Sequence, residues 1–515
     1  MRKLIRCLVW CGHVLFIEIA LADESIPAAE NRGGVRAVAA LFQEHCALCH
    51  GTDLQGATLG TALVGTELNH GDQVTNLINS ISSGFAEKGM PAWGGVLDEQ
   101  EIKGLALWIA EVRDNITMAD FRLSQDIQVP STILNSELHN LRLEVIAQGL
   151  DPLPYSIAPL ANGDILLTEK MRGLRLIKAD GTVGELITGT PRVYDDVPRA
   201  NSLDWGLGRM LEVKPHPDYA TNGWIYLHYT ERCEDCNAFS REHQQPVSMN
   251  ALVRGRIDRG EWVDEEIIYR APFEFYTRGT DLAAGGRIAF DPDGYVFISV
   301  GDRGGAQDLR RPDGKMHRLH DDGRIPRDNP FANQANALPS IWSYGHRSPQ
   351  GLEFNPKTAE LWGSEHGPRG GDEVNLLLPG KNYGWPAFSL GQNYNGTEVN
   401  RGREALELEL EDIEQPIVDL TPSPAISSFV IYEGHAFPEW SDDLIVSSLK
   451  AADLYRIRLR DNQVVTQEVL IDNLARIRDV EINAKGEILL LLAHTAGGKI
   501  VKLMPADPRE IATRQ

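Results

Sequence analysis

The chain has 515 residues, 42% of them hydrophobic, and a formal charge of −23 from 50 Lys and Arg against 73 Asp and Glu. That apolar content is enough for a sizeable core, and the length is that of several domains or one large repeat fold. So acidic a balance excludes a nucleic-acid binder, because phosphate neutralisation needs a basic surface.

Arg2, Lys3 and Arg6 precede an apolar run, Cys7 to Ala22, that ends Ala20-Leu21-Ala22 before Asp23. This is the layout of a secretory signal with a small-residue cleavage site, so residues 1–22 are read as a signal peptide and the remainder as a periplasmic chain. His13 and Glu18 interrupt the run, which is short for a bilayer span; its retention as an N-terminal anchor is the alternative. No other apolar run is long enough to span a membrane, so no span is expected after signal cleavage.

Cys46-Ala47-Leu48-Cys49-His50 reads C-x-x-C-H, the attachment signature of c-type haem. Two thiols one helical turn apart can each bond a haem vinyl group, and the adjacent imidazole can bind the iron. A bare redox or disulfide pair is the bland alternative. Val35, Val38 and Phe42 share a helical face leading into the motif. Farther on, Asp98 and Glu101 have capping-box spacing, and Leu97 with Ile102 can form a hydrophobic staple. Ile102, Leu105, Ile109 and Val112 continue as one apolar stripe that could pack on the first helix. Met90, in Gly89-Met90-Pro91, is expected as the sixth iron ligand opposite His50, since a thioether raises haem potential; His70 is the second candidate. The segment resembles class I cytochrome c domains, and the expected all-α module covers residues 33–115.

Residues 116–140 show no strong period and are read as a linker. From residue 141 to 507 the pattern changes to turns followed by short apolar strands. Six such units are visible: Asn162-Gly163 before Ile165, Asn222-Gly223 before Ile225, Asp293-Gly294 before Tyr295, Asn355-Pro356 before Leu361, Asp442-Asp443 before Leu444, and Lys485-Gly486 before Ile488. Recurrence at blade-sized intervals predicts an all-β six-bladed propeller; a pair of β-sandwiches is the alternative.

Three blocks carry a specific resemblance. They are Gly286-Arg287 with Asp291-Pro292-Asp293-Gly294 and Gly301-Asp302-Arg303-Gly304, then Tyr344-Gly345-His346-Arg347-Ser348-Pro349, then Glu365-His366-Gly367-Pro368-Arg369-Gly370-Gly371-Asp372-Glu373 with Asn382-Tyr383-Gly384-Trp385-Pro386. Together they resemble the glucose/sorbosone dehydrogenase family, soluble aldose sugar dehydrogenases that use pyrroloquinoline quinone (PQQ) and Ca²⁺ on a six-bladed propeller. The resemblance implies that Arg347, Ser348, Tyr394, Lys450, Arg476 and Arg478 contact PQQ, a tricarboxylate that needs fixed cations. On a strand, Arg476 and Arg478 would share one face. It also implies that the carbonyls of Gly367 and Pro368, with Glu373 and Tyr383, hold calcium.

Three departures stand against these matches. Ala283 occupies the place of the family histidine that takes the substrate's hydroxyl proton, although Asp302, its orienting aspartate, is kept. Leu207 replaces a glutamine, and Ser348 an asparagine. His366 is the expected substitute base, with Asp281 and Asp204 weaker ones.

Cys233 and Cys236 read as a local disulfide in an oxidising compartment; a zinc site with His228 and His243 is the alternative. The expected protein is a periplasmic haem c oxidoreductase that oxidises an aldose or related alcohol with PQQ. It would pass electrons to its own haem and then to a soluble cytochrome or copper protein. The rival is a propeller that has lost catalysis and serves electron transfer or ligand binding.

Overall fold

The computed structural model describes residues 32–114, 123–124, 126–195, 199–200, 203–204, 206–278 and 281–506. The signal-peptide expectation, most of the start of the linker, and the side chains of Val35 and Asp204 lie outside the described residues. No helix among the described residues is long and apolar enough to cross a membrane.

The N-terminal module is built from four helices: α1 (Arg32–His45), α2 (Ala47–His50), α3 (Val74–Ser83) and α4 (Glu99–Arg113). α4 starts where its capping box requires. The Asp98 carboxylate accepts from the Glu101 amide at 2.8 Å, and the Glu101 carboxylate accepts from the Asp98 amide at 3.0 Å. Leu97 and Ile102, the staple pair, are both buried. Phe42, Leu77, Ile81, Ile102, Leu105 and Ile109 form one core. Val112 departs from the expected stripe: it is 39% exposed, because the helix turns that side outward near its end.

The rest is six sheets arranged as blades, with a small two-stranded sheet, Arg199–Ala200 and Leu203–Asp204, beside them. Each strand expected after a turn signal is the second strand of its blade: Ile165–Glu169, Ile225–Cys233, Tyr295–Val300, Glu360–Glu365, Leu444–Ser448 and Ile488–Ala493. The turn residues therefore lie in the connections between first and second strands. The first strands contact one another in a closed ring and line the central channel. The last blade is closed by the chain's beginning, since Asn140–Leu150 pairs antiparallel with Gly498–Pro505. One apolar cluster fills each gap between neighbouring blades. In the strand Ile488–Ala493, Ile488, Leu490 and Leu492 face one neighbour while Leu489 and Leu491 face the other. With both faces buried, such strands read as unbroken apolar runs rather than alternating ones. The propeller expectation holds, and the sandwich alternative falls.

Candidate functional site

The haem motif sits at the end of α1 and along α2. Cys46 and Cys49 are unpaired thiols, both half-buried. Burial, with Cys49 beside it, pushes the Cys46 thiol up to about 11. The His50 ring is oriented by its Nδ1, 2.8 Å from the Thr61 carbonyl. An Nδ1–H donated there leaves Nε2 free to face a metal, the usual arrangement of a ligating imidazole. Met90 is half-buried and held in a small bridge, exchanging backbone hydrogen bonds with Phe85 at 2.9 and 3.1 Å. His70 is exposed, its ring stacked on Phe85 at 4.1 Å, so Met90 is the better placed of the two toward the module's interior.

The second site lies where the first strands of the blades begin. A cavity of about 160 Å³ there is lined by Arg347, Ser348, Tyr394, Lys450, Arg476 and Arg478, all six residues that the resemblance assigns to the quinone. They come from three blades and from the loop that bears Tyr394 and are brought together by the ring of first strands. Alternation along Arg476–Ile482 sends both Arg476 and Arg478 inward. Burial, with Arg478 beside it, pulls the Arg476 guanidinium down to about 9, and burial lowers Arg478 too. Two arginines depressed in this way mark a pocket short of negative charge. Arg478 donates to the Gln350 side chain at 2.9 Å and lies over the Tyr155 ring at 4.3 Å, while its Nε has no partner. Tyr155 and Gln350, on first strands, and Lys170, in the turn after Ile165–Glu169, also line the cavity, although the sequence reading gave none of them a role.

Ala283 lines this cavity at the end of the turn Asp281–Ala283 and offers no proton acceptor. Asp281 also lines it, but its carboxylate is engaged by Thr230 at 2.6 Å, Ser248 at 2.9 Å and Arg303 at 3.2 Å. Asp302, the aspartate that the resemblance assigns to orienting the missing histidine, is not among the lining residues. One of its oxygens accepts from the amides of Gly304, Gly305 and Ala306, and the other from the Trp385 indole at 2.8 Å. It ties a loop together rather than facing the cavity. Leu207 is buried and likewise not on the lining.

His366 is on the lining, half-buried, with a buried Nε2 that has no hydrogen-bond partner among the described residues. Burial and the cations Arg347, Arg478 and Arg476 hold it down to about 3, so the imidazole is neutral. Asp372 braces the adjacent turn, accepting from the amides of Gly367 at 3.0 Å and Ile426 at 2.8 Å. Burial raises its carboxyl to about 6.

The calcium candidates divide between this cavity and a neighbour. Gly367 and Pro368 line the first; Gly367, Glu373 and Tyr383 line the second, together with Glu365. The Gly367 carbonyl accepts from Arg347 at 2.9 Å. Burial and then Glu365 drive the Glu373 carboxyl well above its ordinary range, the response of acids that share a site without a cation. The Tyr383 hydroxyl is consumed, donating to the Leu376 carbonyl at 2.5 Å and accepting from the Leu378 amide at 2.8 Å, so only its carbonyl remains for a metal. Among the described residues no three His, Cys, Asp or Glu side chains converge at metal-binding spacing.

Cys233 and Cys236 form a disulfide with their Cα atoms 5.9 Å apart. The zinc alternative is thereby corrected: both thiols are used, and His228 is buried against Asn250 at 3.0 Å.

The chain matches two family models: glucose/sorbosone dehydrogenase over residues 152–502 and cytochrome c oxidase, cbb3-type, subunit III over residues 33–109. It is 34% identical over 390 residues to an aldose sugar dehydrogenase of Escherichia coli, covering 74% of this chain and 98% of that one. It is 26% identical over 451 residues to quinoprotein glucose dehydrogenase B of Acinetobacter calcoaceticus, covering 72% and 88%. The apo crystal structure of the soluble E. coli aldose sugar dehydrogenase superposes with a TM-score of 0.61 at 32% identity, covering 71% of this chain and all of that one.

Proposed function

This chain belongs to the glucose/sorbosone dehydrogenase family, with a cytochrome c domain fused to its N-terminal side, and from that premise we propose a periplasmic, PQQ-dependent dehydrogenase of an aldose or related alcohol that delivers electrons to its own haem. The observation that carries the reading is the convergence of Arg347, Lys450, Arg476 and Arg478 on one cavity. Four cations in a partly desolvated cleft fit a tricarboxylate, and the depressed arginines there gain what an anion would restore.

When bound, the quinone supplies a two-electron acceptor for a carbinol carbon, Ca²⁺ supplies Lewis-acid polarisation, and haem c supplies a one-electron outlet. Arg347, Arg476 and Arg478 would hold the carboxylates, with Tyr394 on the same cavity wall and Lys450 completing the cation set. The Gly367 and Pro368 carbonyls, with Glu373 close by, offer hard oxygen to calcium. His366 accepts the substrate's hydroxyl proton at Nε2 in place of the absent histidine. Its neutrality supports that role; its low basicity limits it until an anion offsets the three neighbouring guanidinium groups. His50 and Met90 would hold the iron, and Cys46 and Cys49 would attach the macrocycle. The module boundaries we assign are 33–115 and 141–507.

One observation favours a second reading. Ala283 stands on the cavity wall where a base belongs, and without another acceptor the propeller would bind its ligand and do no oxidation. The test is reconstitution of the haem-loaded protein with PQQ and Ca²⁺, followed by a panel of aldoses and simple alcohols while the haem bands are recorded. Reduction that needs both the quinone and one substrate class supports the dehydrogenase. Quinone binding with no substrate-driven reduction supports the non-catalytic propeller.

A further inference from the structure

α4 has two buried faces. Ile102, Leu105 and Ile109 belong to the cytochrome module's own core. Gln100, Lys103, Gly104, Leu107 and Glu111 recur at helical spacing on another side and meet the propeller. Gln392 donates to the carbonyl and side chain of Gln100 at 2.9 and 2.8 Å, and Lys103 donates to the Gly391 carbonyl at 3.0 Å. A Cβ on Gly104 would stand 3.2 Å from the Val38 side chain and 3.5 Å from the Gln392 side chain, so the helix approaches both closely there. Leu107, fully buried, packs on Gly370. Glu111 closes the row: its carboxylate lies 3.6 Å from Arg369 and 3.6 Å from Lys450. The Arg369 guanidinium is 3% exposed and makes no hydrogen bond among the described residues, where Glu111 is its counter-charge.

Lys450 is also on the cavity wall. One carboxylate of the haem module is thus paired with a cation of the site the propeller offers to its cofactor. We infer that Glu111 is a positioning residue that fastens α4 over the rim of the cavity, so that the haem takes electrons from a cofactor held in its own chain rather than in a second molecule. This rests on the oxidation proposed above. Conversion of one alcohol to a carbonyl releases two protons and two electrons; each electron reduces ferric haem to ferrous and leaves to a one-electron carrier before the next arrives.

The test uses the full-length, haem-loaded chain and two readouts. The first is amide hydrogen exchange without quinone. Glu111→Lys puts a third cation beside Arg369 and Lys450, and it should speed exchange about tenfold in residues 99–113 and 390–393 while the haem spectrum is unchanged; Glu111→Asp should stay close to wild type. Unchanged exchange in Glu111→Lys overturns the inference. Should that variant lose its haem spectrum, Lys103→Ala combined with Gln392→Ala removes three hydrogen bonds of the same face and carries the same two outcomes. The second readout is kinetic order in the quinone-loaded protein. Wild-type haem reduction should have a rate constant independent of protein concentration, and Glu111→Lys should be slower and proportional to it. Proportionality already in wild type overturns the inference. If docking behaves as stated and no substrate reduces wild-type haem, the docking role of Glu111 stands and the proposed oxidation fails.

Discussion

Beneath the cavity, the central channel holds four carboxylates and two cations. Lys214 lies 3.2 Å from Glu481, 3.4 Å from Glu353 and 4.0 Å from Glu212, and Arg287 lies 2.8 Å from Asp479 and 3.9 Å from Glu212. The acids outnumber the bases and are buried or half-buried, so desolvation lifts Glu212 from its ordinary 4.5 to about 8 and Glu481 to about 7. Between 4.5 and 8 the folded chain keeps a proton on Glu212 that the unfolded chain releases. Stability contributed by that proton is present at low pH and is lost as pH rises through this window. At about 1.4 kcal/mol per pH unit the loss is on the order of 3–5 kcal/mol. A propeller of this size unfolds with an entropy that turns each kcal/mol into roughly 1–2 °C, so the effect is on the order of 5 °C. Glu212→Gln keeps an acceptor for the Ile288 amide and removes the titration. Scanning calorimetry at pH 5.5 and pH 8.5 should show a smaller fall in Tm for Glu212→Gln than for wild type. Equal falls in the two proteins would refute the reasoning that this carboxyl is held neutral by burial.

Three further outcomes are expected. His366→Ala should lower substrate-driven haem reduction by about 10²-fold or more with quinone binding retained, read by stopped-flow and by titration; a fall of less than threefold would assign the proton elsewhere. Met90→Ala should lower the haem midpoint potential in a spectroelectrochemical titration, because it removes a thioether opposite His50. Asp98→Ala should cost the cytochrome module about 1 kcal/mol, since the carboxylate that caps α4 would be gone; chemical denaturation followed at the Soret band measures it.

The haem motif, the α4 cap and the six turn-and-strand units were legible because each is a local pattern. A capping box spans four residues, and a second strand announces itself by a turn and an apolar run. The cation set was legible through family motifs and not through chemistry, since no spacing in the chain links Arg347 to Lys450 and Arg478; the closed ring of first strands does. Asp302 was legible only as a motif letter. Its neighbourhood in sequence matches a catalytic motif, while in space three backbone amides and the Trp385 indole occupy its oxygens. Val112 continued the apolar stripe by count, but the stripe ends before the helix does. The second buried face of α4 left almost no signal, since Gln100, Lys103 and Glu111 read as an ordinary solvated side.

The most direct measurement of the central claim is an anaerobic comparison on one preparation loaded with haem, PQQ and Ca²⁺. An aldose is added, and the haem α band is followed beside the oxidation of the same sugar by a small dye acceptor. The account predicts that the haem is reduced without dye, and only when quinone is present. Dye-linked sugar oxidation with the haem left oxidised would contradict it, because the propeller would then be a dehydrogenase whose electrons bypass its own cytochrome.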